Sequence, residues 1–152
     1  MYRIVSKEML TPTICRMKVE ASRLATAALP GQFLIVRADE QGERIPLTIS
    51  DFDKEAGTVT IVTQNIGAST SEICSYEEGD SFSDVVGPLG IPSDFTEMSD
   101  EELAGKRYVF IAGGVGTAPV YPQVKWLHER GASVDVIIGA KTKDLVIYKE
   151  EM

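Results

Sequence analysis

The chain has 152 residues, room for one domain or for one small domain with part of another at roughly 100–200 residues each. Hydrophobic residues make up 43% and charged residues 25%, ordinary values for a globular chain and not those of a disordered one. With 15 Lys and Arg against 23 Asp and Glu, the net charge is −8, and an acidic surface repels phosphate backbones, so no nucleic-acid partner is expected.

The first 90 residues carry mostly a two-residue period. Arg16 to Glu20 and Thr58 to Thr63 alternate as half-buried strands do, and Gln32 to Arg37 is an apolar run entered from the Pro30-Gly31 turn. With Gly42, Gly57 and Gly79 marking further turns, six strands are predicted over 2–8, 12–20, 32–38, 45–52, 57–64 and 80–86. Many short strands with Gly and Pro punctuation indicate an antiparallel barrel or sandwich. A short helix is expected at 69–76, where Ser69 to Glu72 can cap and charge its start.

Residues 93–106 are polar and acidic without strand period, and read as a linker with a short helix from Ser99, capped through Glu102. Tyr108 to Ala112 is then a continuous apolar run of the kind buried on both faces. Gly113-Gly114-Val115-Gly116 follows, and a helix is expected from Pro119 to Arg130, with Val120, Val124 and Leu127 on one face and Gly131 as the stop. Val134 to Gly139 is a second buried strand, which completes one strand–helix–strand unit of a parallel sheet. Such a sheet needs more than two strands, so the chain is expected to continue in a parent protein, and the open edge in this form should favour self-association.

Cys15 and Cys74 are far apart in sequence and read as small buried hydrophobes, and the single His128 falls near a helix end as a surface residue. No metal site can be drawn from Cys and His, and no nucleophile–base arrangement is evident. No apolar run reaches the roughly 18 residues of a membrane span, and the N-terminus lacks a signal-peptide core, so a cytoplasmic location is expected.

Four segments have phosphate- or ring-binding chemistry. Gly113 to Pro119 joins a buried strand to a helix, where glycines allow close approach and the helix start favours an anion; alone it is also a plain strand-to-helix turn. Asn65-Ile66-Gly67-Ala68-Ser69-Thr70 has the same form, and alone is an ordinary helix cap. Glu43 to Ser50 sets Arg44 beside an extended Pro segment, and Gly87-Pro88-Leu89-Gly90 is a rigid turn.

Taken in order, Pro30-Gly31-Gln32-Phe33, Arg44 to Ile49, Gly67 to Thr70, Gly87 to Gly90 and Gly113 to Pro119 resemble the ferredoxin–NADP reductase superfamily. The likeness extends over the whole chain and is marked for the flavin subunits of dihydroorotate dehydrogenase, sulfide dehydrogenase and NADH-dependent reduced ferredoxin:NADP oxidoreductase. It implies a six-stranded, Greek-key antiparallel β-barrel that binds FAD (1–93), a linker (94–106), and the first part of an α/β domain that binds NAD(P)H (107–152). It places FAD against Arg44, Pro46, Leu47, Thr48, Ile49, Gly67, Ser69, Thr70 and Gly90, and NAD(P) against Gly113, Gly114, Gly116 and Thr117. Arg44 stands one place earlier than the family's usual Arg, and the usual Tyr is missing. Relatives carry a C-terminal cysteine cluster for a [2Fe–2S] centre, for which this chain has no counterpart. The implied function is a flavin-dependent oxidoreductase subunit passing electrons between NAD(P)H and an iron–sulfur centre or second oxidoreductase subunit, with a non-catalytic flavin- or nucleotide-binding module as the alternative.

Overall fold

The computed structural model describes every residue from Met1 to Met152. Strands β1 (Tyr2–Thr11) and β2 (Ile14–Glu20) form a hairpin whose tight turn is held by Thr11, which accepts N–H bonds from Thr13 and Ile14 on its hydroxyl at 3.3 and 3.1 Å. β2 then pairs not with the next strand but with β5 (Thr58–Gln64), in the register Cys15 opposite Thr63, Met17 opposite Ile61 and Val19 opposite Val59. β5 pairs with β4 (Arg44–Asp53) and β4 with β3 (Phe33–Arg37), all antiparallel, giving the Greek-key order expected.

Closure is achieved by one segment. The sixth predicted strand is broken at Ser83 into β6 (Ser81–Phe82), paired with β1, and β7 (Asp84–Leu89), paired with β3. The Ser83 N–H bonds the carbonyls of Arg37 and Ala38, at 3.1 and 2.9 Å, so the chain crosses between the two sheet edges there. Seven strands result where six were predicted, because a local kink leaves no trace in hydropathy. Inside lie Ile4, Met17, Val19, Leu34, Val36, Ile49, Val59, Ile61 and Phe82. The end of the barrel is filled by α1 (Ser22–Ala27), which buries Leu24 and Ala25. Sequence periodicity misses this helix, as six residues span less than two turns. α2 (Ala68–Ser75) packs on the wall through Ile73.

The acidic segment after the barrel is folded rather than extended. Ser99 and Glu102 form the expected capping box, with the Glu102 N–H on the Ser99 hydroxyl at 3.3 Å and the Ser99 N–H on the Glu102 carboxylate at 2.9 Å. It opens α3 (Asp100–Ala104), whose Leu103 is buried with Leu127 and Ala132. Strands β8 (Arg107–Gly113) and β9 (Ser133–Gly139) run parallel, in register from Arg107 opposite Ser133 to Gly113 opposite Gly139. They are joined through a 3₁₀ turn (Gly114–Thr117) and α4 (Tyr121–Glu129). The helix therefore starts two residues later than predicted, with Pro122 in its first turn. His128 is exposed at its end. The two strands are covered on one face only: Val109, Ile111 and Ile137 are 59%, 77% and 57% exposed, which corrects the reading of strands buried on both faces. No helix is long and apolar enough to cross a membrane.

The α/β unit is seated on the barrel by a small apolar cluster of Ile14, Val62, Ala118, Ile147 and Tyr148. Tyr148 holds a backbone φ of 59°, unusual for a bulky residue, and its ring is enclosed by Tyr121 at 5.1 Å and by the Arg16 guanidinium at 5.3 Å. Its hydroxyl donates to the buried Ser50 hydroxyl at 3.2 Å. Lys125 of α4 reaches Asp51 of β4 at 2.9 Å.

Candidate functional site

Where β4, β5, the start of α2 and the glycine turn converge, the surface opens into a cleft of about 310 Å³. Its barrel wall is Ile45, Pro46, Leu47 and Thr48 with Val62 to Gln64, and its opposite wall is Val115, Gly116, Ala118 and Pro119. No lining residue is ionisable. A shallower groove continues from it past Ile66 and Gly67 to Ser69, along the N-terminus of α2. The cleft lies past the carboxyl ends of two parallel strands, which is where open α/β sheets take their ligands. A larger hollow of about 460 Å³ between the β4–β5 hairpin and α4 is lined by charges of both signs, among them the paired Asp51 and Lys125.

Local chemistry explains each wall. Extended backbone around Pro46 removes one N–H from the ladder and leaves an apolar face. Gly67, the residue before α2, has φ −146° and ψ −178°. The first intrahelical bond of α2 runs from the Ser71 N–H to the Gly67 carbonyl, so the N–H groups of Ala68, Ser69 and Thr70 precede the ladder and are the free donors of the helix start. The Thr70 hydroxyl fixes the turn itself, accepting from the N–H groups of Ile66 and Gly67 at 3.0 Å each and donating to the Gly67 carbonyl at 3.1 Å. The Ser69 hydroxyl donates to the Glu43 carboxylate. In the second turn Gly114 holds φ +55°, which favours glycine. A Cβ built on Gly67, Gly114 or Gly116 meets nothing within 4 Å, so these positions are open to an incoming group. The hydroxyls of Thr63 and Thr117 are buried behind the cleft walls, at 1% and 0% residue exposure, without a hydrogen-bond partner.

The structure brings together Pro46, Leu47, Thr48, Thr70 and Gly116 of the residues singled out in the sequence, with Gly67 and Ser69 in the adjoining groove. Gly113 sits at the strand ends opposite Gly139, and Thr117 packs behind the turn. Gly90 lies against the Phe33 ring, where a Cβ would meet ring carbons at 3.0 and 3.1 Å, and Phe33 is the register partner of Thr48. Gly90, Gly113, Gly114 and Thr117 line neither cleft nor groove, and two further residues point away from both. Ile49 points into the barrel core at 1% exposure, and the Arg44 guanidinium pairs with Asp84 of β7 at 3.0 Å, lining neither cleft nor groove. Val62, Thr63 and Gln64 lie outside the binding segments singled out in the sequence, and Glu43 and Ile66 lie inside them without a role assigned. Ile66, 80% exposed between Asn65 and Gly67, had a signal in being a large apolar residue inside a turn.

No protein-family model matches the chain. It is 57% identical over all its residues to an uncharacterized protein in the adh 3' region of Clostridium beijerinckii, covering 51% of that protein. It is 38% identical over 148 residues to the dihydroorotate dehydrogenase B (NAD(+)) electron transfer subunit homolog of Thermotoga maritima, covering 97% of this chain and 50% of that one. Among solved structures, that of an NADH-dependent reduced ferredoxin-NADP oxidoreductase, described for flavin-based electron bifurcation, superimposes with a TM-score of 0.88 at 36% identity, over 99% of this chain and 52% of the other. By fold and by sequence, the chain resembles the ferredoxin–NADP reductase superfamily. Further curated relatives, at 30% identity, are named dihydroorotate dehydrogenase B (NAD(+)) electron transfer subunits, and the chain spans about half the length of the curated relatives it matches.

Proposed function

We propose that the chain is the flavin-holding part of an electron-transfer oxidoreductase subunit, with FAD in the cleft and groove and NAD(P)H approaching from the glycine-turn side. One observation carries this reading: a single cleft joins the apolar strand Ile45–Thr48, the helix start at Thr70 and the turn Val115–Pro119. In this reading residues 1–93 are the flavin barrel, 107–152 carry the nucleotide-facing turn, and 94–106 join them.

The residues fit such a group. Pro46, Leu47 and Thr48 offer a mostly apolar wall for a flat ring, and the N–H groups of Ala68, Ser69 and Thr70 offer donors for a pyrophosphate. Bound FAD would supply the chemistry, taking two electrons as hydride and releasing them singly. The protein's part is to bind, orient and exclude water, which agrees with a cleft lacking any ionisable side chain. Glu43 must release the Ser69 hydroxyl as the phosphates arrive, since a carboxylate beside them repels.

The names of the relatives, an electron transfer subunit homolog and a reduced ferredoxin-NADP oxidoreductase, support a second oxidoreductase subunit as the next electron carrier, and the resemblance in sequence adds an iron–sulfur centre, neither of them held by these residues. The test is direct: the chain is mixed with FAD and passed through a sizing column. The expected result is a yellow protein fraction with one flavin per chain, which reduced nicotinamide bleaches slowly or not at all, since the chain carries only two strands of the nucleotide-facing sheet. A colourless protein fraction contradicts the reading.

A further inference from the structure

Cys15 lies on β2 with no exposed surface, and Cys74 lies on α2, half-buried. They are 59 residues apart in the chain, yet their Sγ atoms are 3.1 Å apart. A disulfide bond is about 2.05 Å long, so roughly 1 Å of closure separates the two thiols from a bond. The Cys74 thiol also contacts the Thr63 carbonyl at 3.7 Å, and Thr63 is the register partner of Cys15. α2 has eight residues and only Ile73 fully buried, so a small shift of the helix toward β2 disturbs little packing.

We propose that Cys15 and Cys74 are a modification site: a hydroperoxide converts the pair to a reversible intramolecular disulfide that tethers α2 to the barrel wall. The half-exposed Cys74 meets the oxidant first. Its sulfur attacks hydrogen peroxide, the O–O bond breaks, and a sulfenic acid and one water form. The Cys15 sulfur then attacks the Cys74 sulfur, the S–O bond breaks, the Cys15 proton leaves with the departing hydroxyl, and the second water forms. Two electrons pass from the two sulfurs to the peroxide, and the balance closes with one disulfide and two waters. Burial, followed by the contact with Cys74, pushes the Cys15 thiol up to about 12, so Cys15 stays protonated at neutral pH and is spared direct attack. Contact in the folded state offsets its low nucleophilicity.

The bond itself is independent of the flavin reading, because it rests on the two sulfurs alone. Its consequence is that the Gly67–Thr70 turn, at the start of the same helix, is fixed to β2 in the oxidised chain and free to adjust in the reduced one. The experiment treats the fully reduced chain with hydrogen peroxide, alkylates the remaining thiols and digests with trypsin. Both thiols are expected to disappear together, joining peptides 8–16 and 55–106 with a loss of two hydrogens, restored by dithiothreitol. In Cys74→Ser, Cys15 should stay reduced. Hydrogen exchange over 68–75 should slow in the oxidised chain. Over-oxidation of Cys74 with Cys15 still free, unreacted thiols in excess peroxide, or a disulfide only between chains would overturn the proposal, as would unchanged exchange over 68–75 once the bond is formed.

Discussion

Gly67→Val separates binding from folding at the groove. The backbone there is extended, φ −146° and ψ −178°, a conformation open to any residue, and a Cβ meets nothing within 4 Å. Folding therefore loses only the preference for Gly over Val at a helix cap, about 1 kcal/mol, which is about 2–4 °C in Tm for a chain of this size. Binding loses far more, because a branched side chain fills the space through which phosphates reach the N–H groups of Ala68 to Thr70. Two charge-assisted hydrogen bonds at about 1.5–3 kcal/mol each give about 3–6 kcal/mol, or roughly 10²- to 10⁴-fold weaker binding. Quenching of FAD fluorescence on titration with the protein measures the affinity, and thermal unfolding checks the fold. Wild-type affinity in a folded Gly67→Val protein would refute the assignment of this groove to a pyrophosphate.

Glu43→Gln removes the carboxylate that holds Ser69, and FAD should bind several-fold tighter in the same titration. Tyr148→Phe leaves the buried Ser50 hydroxyl without its donor, and urea unfolding should show a loss of about 1 kcal/mol. The Cys15 thiol has an ordinary value of 9.0 and is pushed up to about 12 in the folded chain, so between those values the folded state holds a proton that the unfolded state releases. Stability therefore falls as pH rises from 9 toward 12, and urea midpoints measured from pH 8 upward should fall more steeply in wild type than in Cys15→Ala.

Alternation at Arg16–Glu20 and Thr58–Thr63 made β2 and β5 legible, and the Ser99–Glu102 box placed α3. The break at Ser83 was not legible, since it depends on two carbonyls, Arg37 and Ala38, that arrive from another strand. α1 escaped for want of length, although Leu24 and Ala25 close the barrel end. At the cleft, the turns at Gly67 and Gly116 could be read from local sequence because local sequence forms them. The side-chain alternation that sends Ile49 inward, and the pairing of Arg44 with Asp84, are tertiary outcomes. So is the meeting of Cys15 and Cys74, which in sequence read as two unrelated apolar positions.

Hydrogen–deuterium exchange of the chain with and without FAD tests the central claim most directly, because it reports where the flavin sits. The account predicts slowed exchange at 45–48, 66–70 and 115–119 together, with the hollow between Asp53 and Arg130 unchanged. Protection confined to that hollow, or none at the cleft under saturating FAD, would contradict it.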